Sequence, residues 1–214
     1  MDVIVGHLGQ LAHGFVLTVV MTISGFACAL ALGVLLAVCL ISPVAPMRTL
    51  AAAYVVVFRN IPLLVWLVLF VFGLPEIGIL YSLLTTVTAA MALYWAAFIC
   101  EVIRSGVRTV PPGQIEAARA LGFRFTQILR HLVLPQAVRS MVQPLGNLFI
   151  ALTLNTSLAA AVGVRELTGE AQVFTIRYDI PIPIFVVTTA IYVLMTLTGG
   201  LATGRLERKL AISR

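Results

Sequence analysis

The sequence contains little charge. Only 10% of its 214 residues are Asp, Glu, Lys or Arg, whereas 61% are hydrophobic and the mean hydropathy is +1.08. A soluble domain of this length cannot bury so many apolar side chains, so lipid must solvate a large part of the chain. The net charge of +6 is not gathered on a soluble face, which argues against nucleic acid as a partner. We therefore expect a multi-pass protein of the lipid bilayer.

Residues suited to catalysis or metal binding are also scarce. The three cysteines, Cys28, Cys39 and Cys100, all lie in apolar stretches and are predicted to be packing residues, not disulfide partners or metal ligands. The eight acidic residues are scattered and form no catalytic pair. The chain contains no G-x-x-x-x-G-K-[ST] phosphate loop, so it cannot hold ATP by that route. We predict no catalytic residue, no metal site and no cofactor in this chain.

Five apolar stretches are each long enough to cross a hydrocarbon core of about 30 Å, which takes about 20 residues of helix. Gly25, Ala29 and Gly33 repeat in the first stretch at a spacing that lets helices approach closely. No Lys or Arg precedes that stretch, so we expect no cleavable signal peptide and a mature chain that begins at Met1. The prediction is an all-α polytopic membrane protein with one domain, 1–214, and transmembrane helices at 11–41, 50–72, 80–103, 134–154 and 184–206.

Basic residues fall on one side of the membrane if the five spans alternate in direction. That side carries Arg48, six arginines between positions 104 and 139, and the tail residues Arg205, Arg208, Lys209 and Arg214. The other side has only two arginines, which are balanced by three acidic residues: Arg165, Arg177, Glu166, Glu170 and Asp179. The positive-inside rule then predicts that the N-terminus is outside and the C-terminus is cytoplasmic.

The loop 111–135 is polar and lies on the predicted cytoplasmic side. After a Pro-Pro-Gly break it is predicted to form about two helical turns, which Gly122 would close as a C-cap. Glu116 lies in the first turn, where a carboxylate suits the positive end of the helix dipole. Ala117 and Ala118 leave one flank almost bare. Such a rigid, small-sided helix would fit a groove on another protein; the alternative is an amphipathic helix resting on lipid headgroups.

This loop resembles the EAA loop of the permease subunits of bacterial ABC importers. The pattern of that loop is EAA, then Gly, Ile and Leu-Pro, and it is filled here by Glu116-Ala117-Ala118, Gly122, Ile128 and Leu134-Pro135. Other blocks resemble the polar amino acid branch of that family, which includes histidine, glutamine and glutamate permeases. FRNIPLL at 58–64 resembles FRGTPLL, and CEVIRSG at 100–106 resembles AEIxRGG. PLGN at 144–147, NTSL at 155–158 and VGV at 162–164 resemble PPLGN, KDTSL and IGV.

The resemblance implies a five-helix type I importer core, similar to MetI, in the inner membrane. It implies a pair of permeases (two copies or two sister chains), two cytosolic ABC ATPases that bind ATP-Mg, and an extracytoplasmic binding protein that delivers an amino acid. Glu116, Ala117, Ala118 and Gly122 would sit in the ATPase cleft, and Arg119 would pair with acidic residues there. ATP binding would favour the outward-open state.

A charge within a span is costly, at least ~2.5 kcal/mol near the helix centre, and marks a candidate functional residue. Arg59 and Asn60 lie in the second predicted span, just before Pro62, which frees a backbone carbonyl. We predict that both face the translocation path and meet a substrate carboxylate. Two alternatives are that Arg59 pairs with Glu101 to lock the bundle, or that it snorkels to the cytosolic interface. Glu101 is also at i, i+3 from Arg104, a spacing that allows an ion pair.

The end of the fourth span bears on the substrate. Where the family commonly has Lys-Asp before Thr-Ser-Leu, this chain has Leu154 and Asn155, so a carboxylate suited to a cationic substrate is absent. Asn155, Thr156 and Ser157 are predicted to line the path with neutral groups, which leaves Arg59 as the least compensated charge. Glutamate or aspartate is the favoured substrate, and glutamine is next. An intramembrane enzyme would need a catalytic constellation, and a passive channel would not need a docking helix.

Overall fold

The chain folds into helices that are joined by short loops. The computed structural model describes the backbone of residues 2–210 and the side chains of residues 4–209, so Met1 and residues 211–214, including Arg214, lie outside the description. No β-strand occurs within the described residues. The helices are α1 (Asp2–Gly6), α2 (Leu8–Ile41), α3 (Ala45–Asn60), α4 (Leu63–Glu76), α5 (Leu83–Arg108), α6 (Pro112–Ala120), α7 (Phe125–Val162), α8 (Leu167–Tyr178) and α9 (Pro181–Leu210).

Two of these helices are locally irregular. α4 contains a π-helical turn at Leu69–Gly73, and α7 contains another at Leu129–Val133. The C-terminal end of α7, Thr156–Val162, tightens into a 3₁₀ helix that Gly163 ends in the left-handed conformation, with φ 93°. Left-handed backbone suits glycine because it has no Cβ to clash with the preceding carbonyl.

Four helices, α2, α5, α7 and α9, are long and apolar enough to cross a membrane on their own. They overlap the predicted spans 11–41, 80–103, 134–154 and 184–206, although α5 begins and ends later than predicted and α7 extends beyond its predicted span at both ends. The remaining predicted span, 50–72, is divided between α3 and α4, whose axes are bent by 102°. Together these two helices are apolar enough to form one broken span. The described residues therefore hold four spans, or five if the bent pair crosses the membrane.

Pro62 explains the bend. A residue that precedes proline is sterically disfavoured in helical conformation, and Ile61 is extended, with φ −107° and ψ 131°. Pro62 then stands just before the first residue of α4, where a missing backbone N–H leaves no helical hydrogen bond unmade. The irregular backbone at Pro62 was predicted, but the size of the bend was not.

The buried core is centred on α2 and α5, which pack most extensively against each other. Gly25, Ala29 and Gly33 are all buried on α2, as their spacing predicts. A Cβ added to Gly33 would lie 2.7 Å from the Cγ2 of Ile99, so only glycine permits this approach. By contrast, apolar side chains such as Val38 on α2 and Leu194 on α9 are exposed, as lipid-facing residues are expected to be.

Candidate functional site

A cavity of about 480 Å³ opens between α2, α3 and α5. It is lined by Leu40, Ala52, Val55, Val56, Arg59, Asn60, Phe98, Glu101 and Arg104. Arg59 and Asn60 are the last two residues of α3, next to the bend, and Glu101 lies on the facing side of α5. The structure thus brings together three of the predicted path residues, and it adds Arg104 to them.

The charges in this cavity are unequally paired. The Oε2 atom of Glu101 accepts two hydrogen bonds from Arg104, from Nη2 at 2.6 Å and from Nε at 3.2 Å. Arg59 approaches the same oxygen only to 4.0 Å, and its guanidinium lies over the ring of Phe98, 5.3 Å from the centroid. Two arginines share one carboxylate, so the three groups carry a net charge of +1. Arg59 is the less compensated of the two cations, although both predicted pairings of Glu101 are present.

Aromatic rings and one hydrogen bond hold the bend that presents Arg59. Phe58 of α3 stacks on Trp66 of α4 with ring centroids 4.4 Å apart, and Tyr54 stacks on the other side of Phe58 at 4.4 Å. The Tyr54 hydroxyl donates to the backbone carbonyl of Leu93 at 2.8 Å, which ties α3 to α5. The end of α3 that carries Arg59 is therefore attached to α4 by ring stacking and to α5 by a hydrogen bond.

Asn155, Thr156 and Ser157 lie elsewhere, where α7 passes into its 3₁₀ end. Within the described residues they do not line the Arg59 cavity. Their side chains bond to the preceding helical turn: Asn155 donates to Ala151 O at 3.0 Å, Thr156 to Thr153 O at 2.7 Å and Ser157 to Leu154 O at 2.7 Å. Thr156 is fully buried, whereas Asn155 and Ser157 are partly exposed. The predicted path residues thus form two separate groups in this chain.

The short polar helix exists, but it begins inside the Pro-Pro-Gly stretch and not after it, so Glu116 lies beyond its first turn and the predicted place of Glu116 at the positive end of the helix dipole is wrong. α6 begins at Pro112, and Gly122 follows its end with φ 81°, in the left-handed conformation expected of a C-cap glycine. Glu116, Ala117 and Arg119 are exposed. In the part of the chain that the structure describes, neither Glu116 nor Arg119 belongs to an ion pair. These side chains are consequently free to contact another molecule.

The opposite face of α6 is attached to the transmembrane helices. Ala118 is half-buried and packs, with Ile115, on a small cluster formed by Val110, Ile128 and Val133. Farther along the chain, Gln136 of α7 donates a hydrogen bond to the side chain of Gln114 at 3.0 Å. Side-chain contacts thus join α6 to α7, and the same cluster includes Val107 in the last turn of α5.

Comparison with known proteins identifies this arrangement. The sequence family described as "Binding-protein-dependent transport system inner membrane component" matches residues 29–212. The chain belongs to that family. A probable glutamine ABC transporter permease, GlnM of Bacillus subtilis (strain 168), is 32% identical over 98% of this chain and 97% of its own length. A glutamate transport system permease, GluC of Corynebacterium efficiens, is 34% identical over 96% of both chains.

Two solved structures agree in fold. An amino acid ABC transporter crystallised with histidines has a chain that superposes with a TM-score of 0.91 at 30% identity, covering 96% of both chains. The MetNI methionine ABC transporter, in an inward-facing form, superposes with a TM-score of 0.72 at 24% identity and covers 99% of this chain and 98% of its own. These findings confirm the predicted all-α importer fold, the inner-membrane location and a transport subunit in place of an enzyme.

One group of polar residues in this family member was not singled out from sequence. Glu166 and Glu170 were predicted only to balance the arginines of the outer side, yet both are buried, with exposed fractions of 0% and 3%. Glu170 pairs with Arg165 at 2.9 Å, as charge balance suggested, but Glu166 pairs with no arginine among the described residues. The one local signal is its place at the N-cap of α8, where its side chain accepts from Gly169 N at 2.9 Å.

Proposed function

We propose that this chain is the permease subunit of an ATP-driven importer whose substrate is glutamate or aspartate. It works in the inner membrane as one of a pair of permeases, either two copies or two sister chains. Two cytosolic ABC ATPases bind ATP-Mg and hydrolyse it, and an extracytoplasmic binding protein delivers the amino acid. Relatives with glutamine and with glutamate in their names support the class of substrate.

The observation that carries the choice of an acidic substrate is the uneven pairing in the Arg59 cavity. Arg104 occupies Glu101 with two hydrogen bonds, so the Arg59 guanidinium retains most of its capacity to bind another carboxylate. A charge-assisted hydrogen bond from arginine to carboxylate is about twice as strong as a neutral one. A net charge of +1 favours a substrate with a net charge of −1 over a neutral or cationic amino acid.

Glutamine is the second candidate. The Bacillus relative carries that name, and Asn60, Asn155, Thr156 and Ser157 offer neutral hydrogen-bonding groups that suit an amide. If glutamine is the substrate, Arg59 binds only the α-carboxylate of the glutamine, and other residues bind the side-chain amide. The two candidates therefore differ in whether uptake depends on a second negative charge in the substrate.

Coupling to ATP is assigned to α6. Glu116, Ala117 and Arg119 form its exposed face, and Gly122 allows the tight turn that ends it. Closure of the ATPase dimer would push on this face, and the packing of Ala118 and the Gln114–Gln136 bond would carry the displacement into the transmembrane helices. ATP binding then favours the outward-open state.

The test of the substrate is uptake by the reconstituted complex, with its binding protein, of labelled glutamate, aspartate, glutamine and arginine. We expect glutamate and aspartate to be imported fastest. Arg59→Ala should reduce their uptake at least about tenfold, because a hydrogen-bonded charge partner is lost. It should leave the association with the ATPase intact. The matched control is Arg48→Ala, which removes an exposed arginine outside the cavity and should import normally.

The same experiment identifies the alternatives. Preferential uptake of glutamine, with acidic amino acids ignored, would replace the first candidate by the second. Loss of assembled Arg59→Ala complex, instead of loss of uptake by an assembled one, would assign Arg59 to locking the helix bundle.

A further inference from the structure

Glu166 is a fully buried carboxylate that the proposed transport mechanism does not use. Its Oε2 accepts hydrogen bonds from the Tyr192 hydroxyl at 2.8 Å and from the Thr18 hydroxyl at 3.1 Å, and its Oε1 accepts from Gly169 N at 2.9 Å. Within the described residues, no Lys, Arg or His side chain pairs with it. Burying a carboxylate is costly unless its acceptors are satisfied, so these three donors are what keep it in place.

The donors come from three different helices. Thr18 lies on α2, Gly169 on α8 and Tyr192 on α9, and the Thr18 hydroxyl also accepts from the backbone N–H of Leu167 at 3.1 Å. Close approach of the first two elements depends on Gly14, since a Cβ there would lie 3.2 Å from the backbone of Glu166. The carboxylate therefore connects the start of α8 to two long helices that are distant in sequence.

The connection continues to the second group of predicted path residues. The Tyr192 hydroxyl also bonds with the Thr168 hydroxyl of α8 at 3.1 Å, and the 3₁₀ end of α7, Thr156–Val162, packs against both α2 and α8. Thr156 is fully buried at the start of the 3₁₀ end of α7, and its neighbours Asn155 and Ser157 are partly exposed. A displacement of Glu166 would therefore loosen the junction of α2 and α8, against which the segment that begins at Thr156 packs.

We propose that Glu166 is a positioning residue for the substrate path: by joining α2, α8 and α9 it fixes the Asn155–Thr156–Ser157 segment, which packs against α2 and α8. The inference rests on the proposed function only in treating that segment as part of the path. The contribution of Glu166 is to hold hydrogen bonds, and a negative charge is not required for it. A glutamine of the same shape can accept from Gly169 N and donate to both hydroxyl oxygens, since each hydroxyl also has acceptor capacity.

The test measures the position of the segment directly. Ser157→Cys is introduced into a chain whose three native cysteines are replaced, and the rate of labelling by a membrane-impermeant maleimide is followed in the purified permease–ATPase complex. We expect Glu166→Leu and Tyr192→Phe each to raise this rate about fivefold, which lies within the range expected when a buried hydrogen bond is lost. Glu166→Gln should stay within about twofold of the parent, for the reason given above. Glu76→Gln, at an exposed carboxylate, is the matched control and should have no effect.

Two results would overturn the proposal. A lower melting temperature with an unchanged labelling rate would mean that Glu166 only stabilises the fold. A Glu166→Gln rate equal to that of Glu166→Leu would mean that hydrogen bonding is not its role. If the Glu166→Leu complex fails to assemble, the labelling rates of the Tyr192→Phe and Glu166→Gln complexes test the proposal. Because labelling needs no substrate, these rates stand even if the complex does not import glutamate.

Discussion

At the scale of single residues, the proposal of an acidic substrate depends on how the Glu101 carboxylate is shared between Arg104 and Arg59. Arg104 bonds Glu101 at 2.6 and 3.2 Å, whereas Arg59 remains at 4.0 Å. The sequence indicated both pairings of Glu101, at i, i+3 within α5 and between two spans, but it did not show how the carboxylate is divided between them. The distances rank them, and they leave Arg59 as the cation that can meet a substrate.

Because Arg104 and Arg59 compete for Glu101, we predict that two substitutions change glutamate binding in opposite directions. Arg104→Ala should release Glu101 to pair with Arg59 and should weaken the binding of labelled glutamate to the purified permease–ATPase complex about two- to fivefold, the range for partly exposed ion pairs. Glu101→Gln should instead strengthen it, because Arg59 then has no competing carboxylate. Arg108→Ala, which removes an exposed arginine one turn farther along α5, is the control. Weaker binding in Glu101→Gln would contradict the competition.

At the scale of elements, α6 combines an exposed face with a fixed attachment to its neighbours. Its end is set by Gly122 at φ 81°, and a Cβ there would meet nothing within 4 Å. Any cost of replacing this glycine therefore comes from the backbone conformation alone and not from a steric clash.

Gly122→Ala should consequently destabilise the helix end by roughly 1 kcal/mol, because left-handed backbone disfavours a Cβ. In a protein of this size that corresponds to about 2–4 °C in the melting temperature of the purified complex. Gly113→Ala is a close control, since Gly113 also has open space around it but is not in the left-handed region. Equal melting temperatures for the two variants would show that the left-handed conformation at position 122 does not favour glycine over alanine.

Elements of this kind were predictable because their signals are local. A Pro-Pro-Gly stretch, two alanines and a capping glycine indicate α6 within a dozen residues, although the helix begins inside that stretch, and the repeat of Gly25, Ala29 and Gly33 indicates a packing face of α2. The burial of Glu166 was not predictable in the same way. Its partner Thr18 is 148 positions away in the chain, so no local pattern distinguishes it from a surface carboxylate. The 102° bend was missed because Pro62 indicates a break but does not fix the angle, which the stacking of Phe58 on Trp66 helps to hold.

At the scale of the whole molecule, the bent pair α3–α4 decides the topology. If it crosses the membrane, the chain has five spans and its termini lie on opposite sides; if it re-enters on the same side, there are four spans and the termini share a side. The excess of arginine between positions 104 and 139 and in the tail predicts a cytoplasmic C-terminus.

We therefore predict that an N-terminal tag is reached by an impermeant reagent from outside intact cells, whereas a C-terminal tag is reached only after the membrane is opened. Both tags must leave uptake at the level of the untagged complex. Accessibility of both termini from the same side would mean that α3–α4 does not cross and that the five-span topology is wrong.

We propose above that α6 transmits the action of a separate ATPase to the transmembrane helices. The most direct measurement is site-specific photocrosslinking from a reactive side chain at Ala117, an exposed position on α6, in membranes that contain the whole complex. Ile176, exposed on α8, serves as the control position. The account predicts a covalent product with the ATPase from position 117 and none from position 176. Crosslinks from position 117 to lipid alone would contradict it.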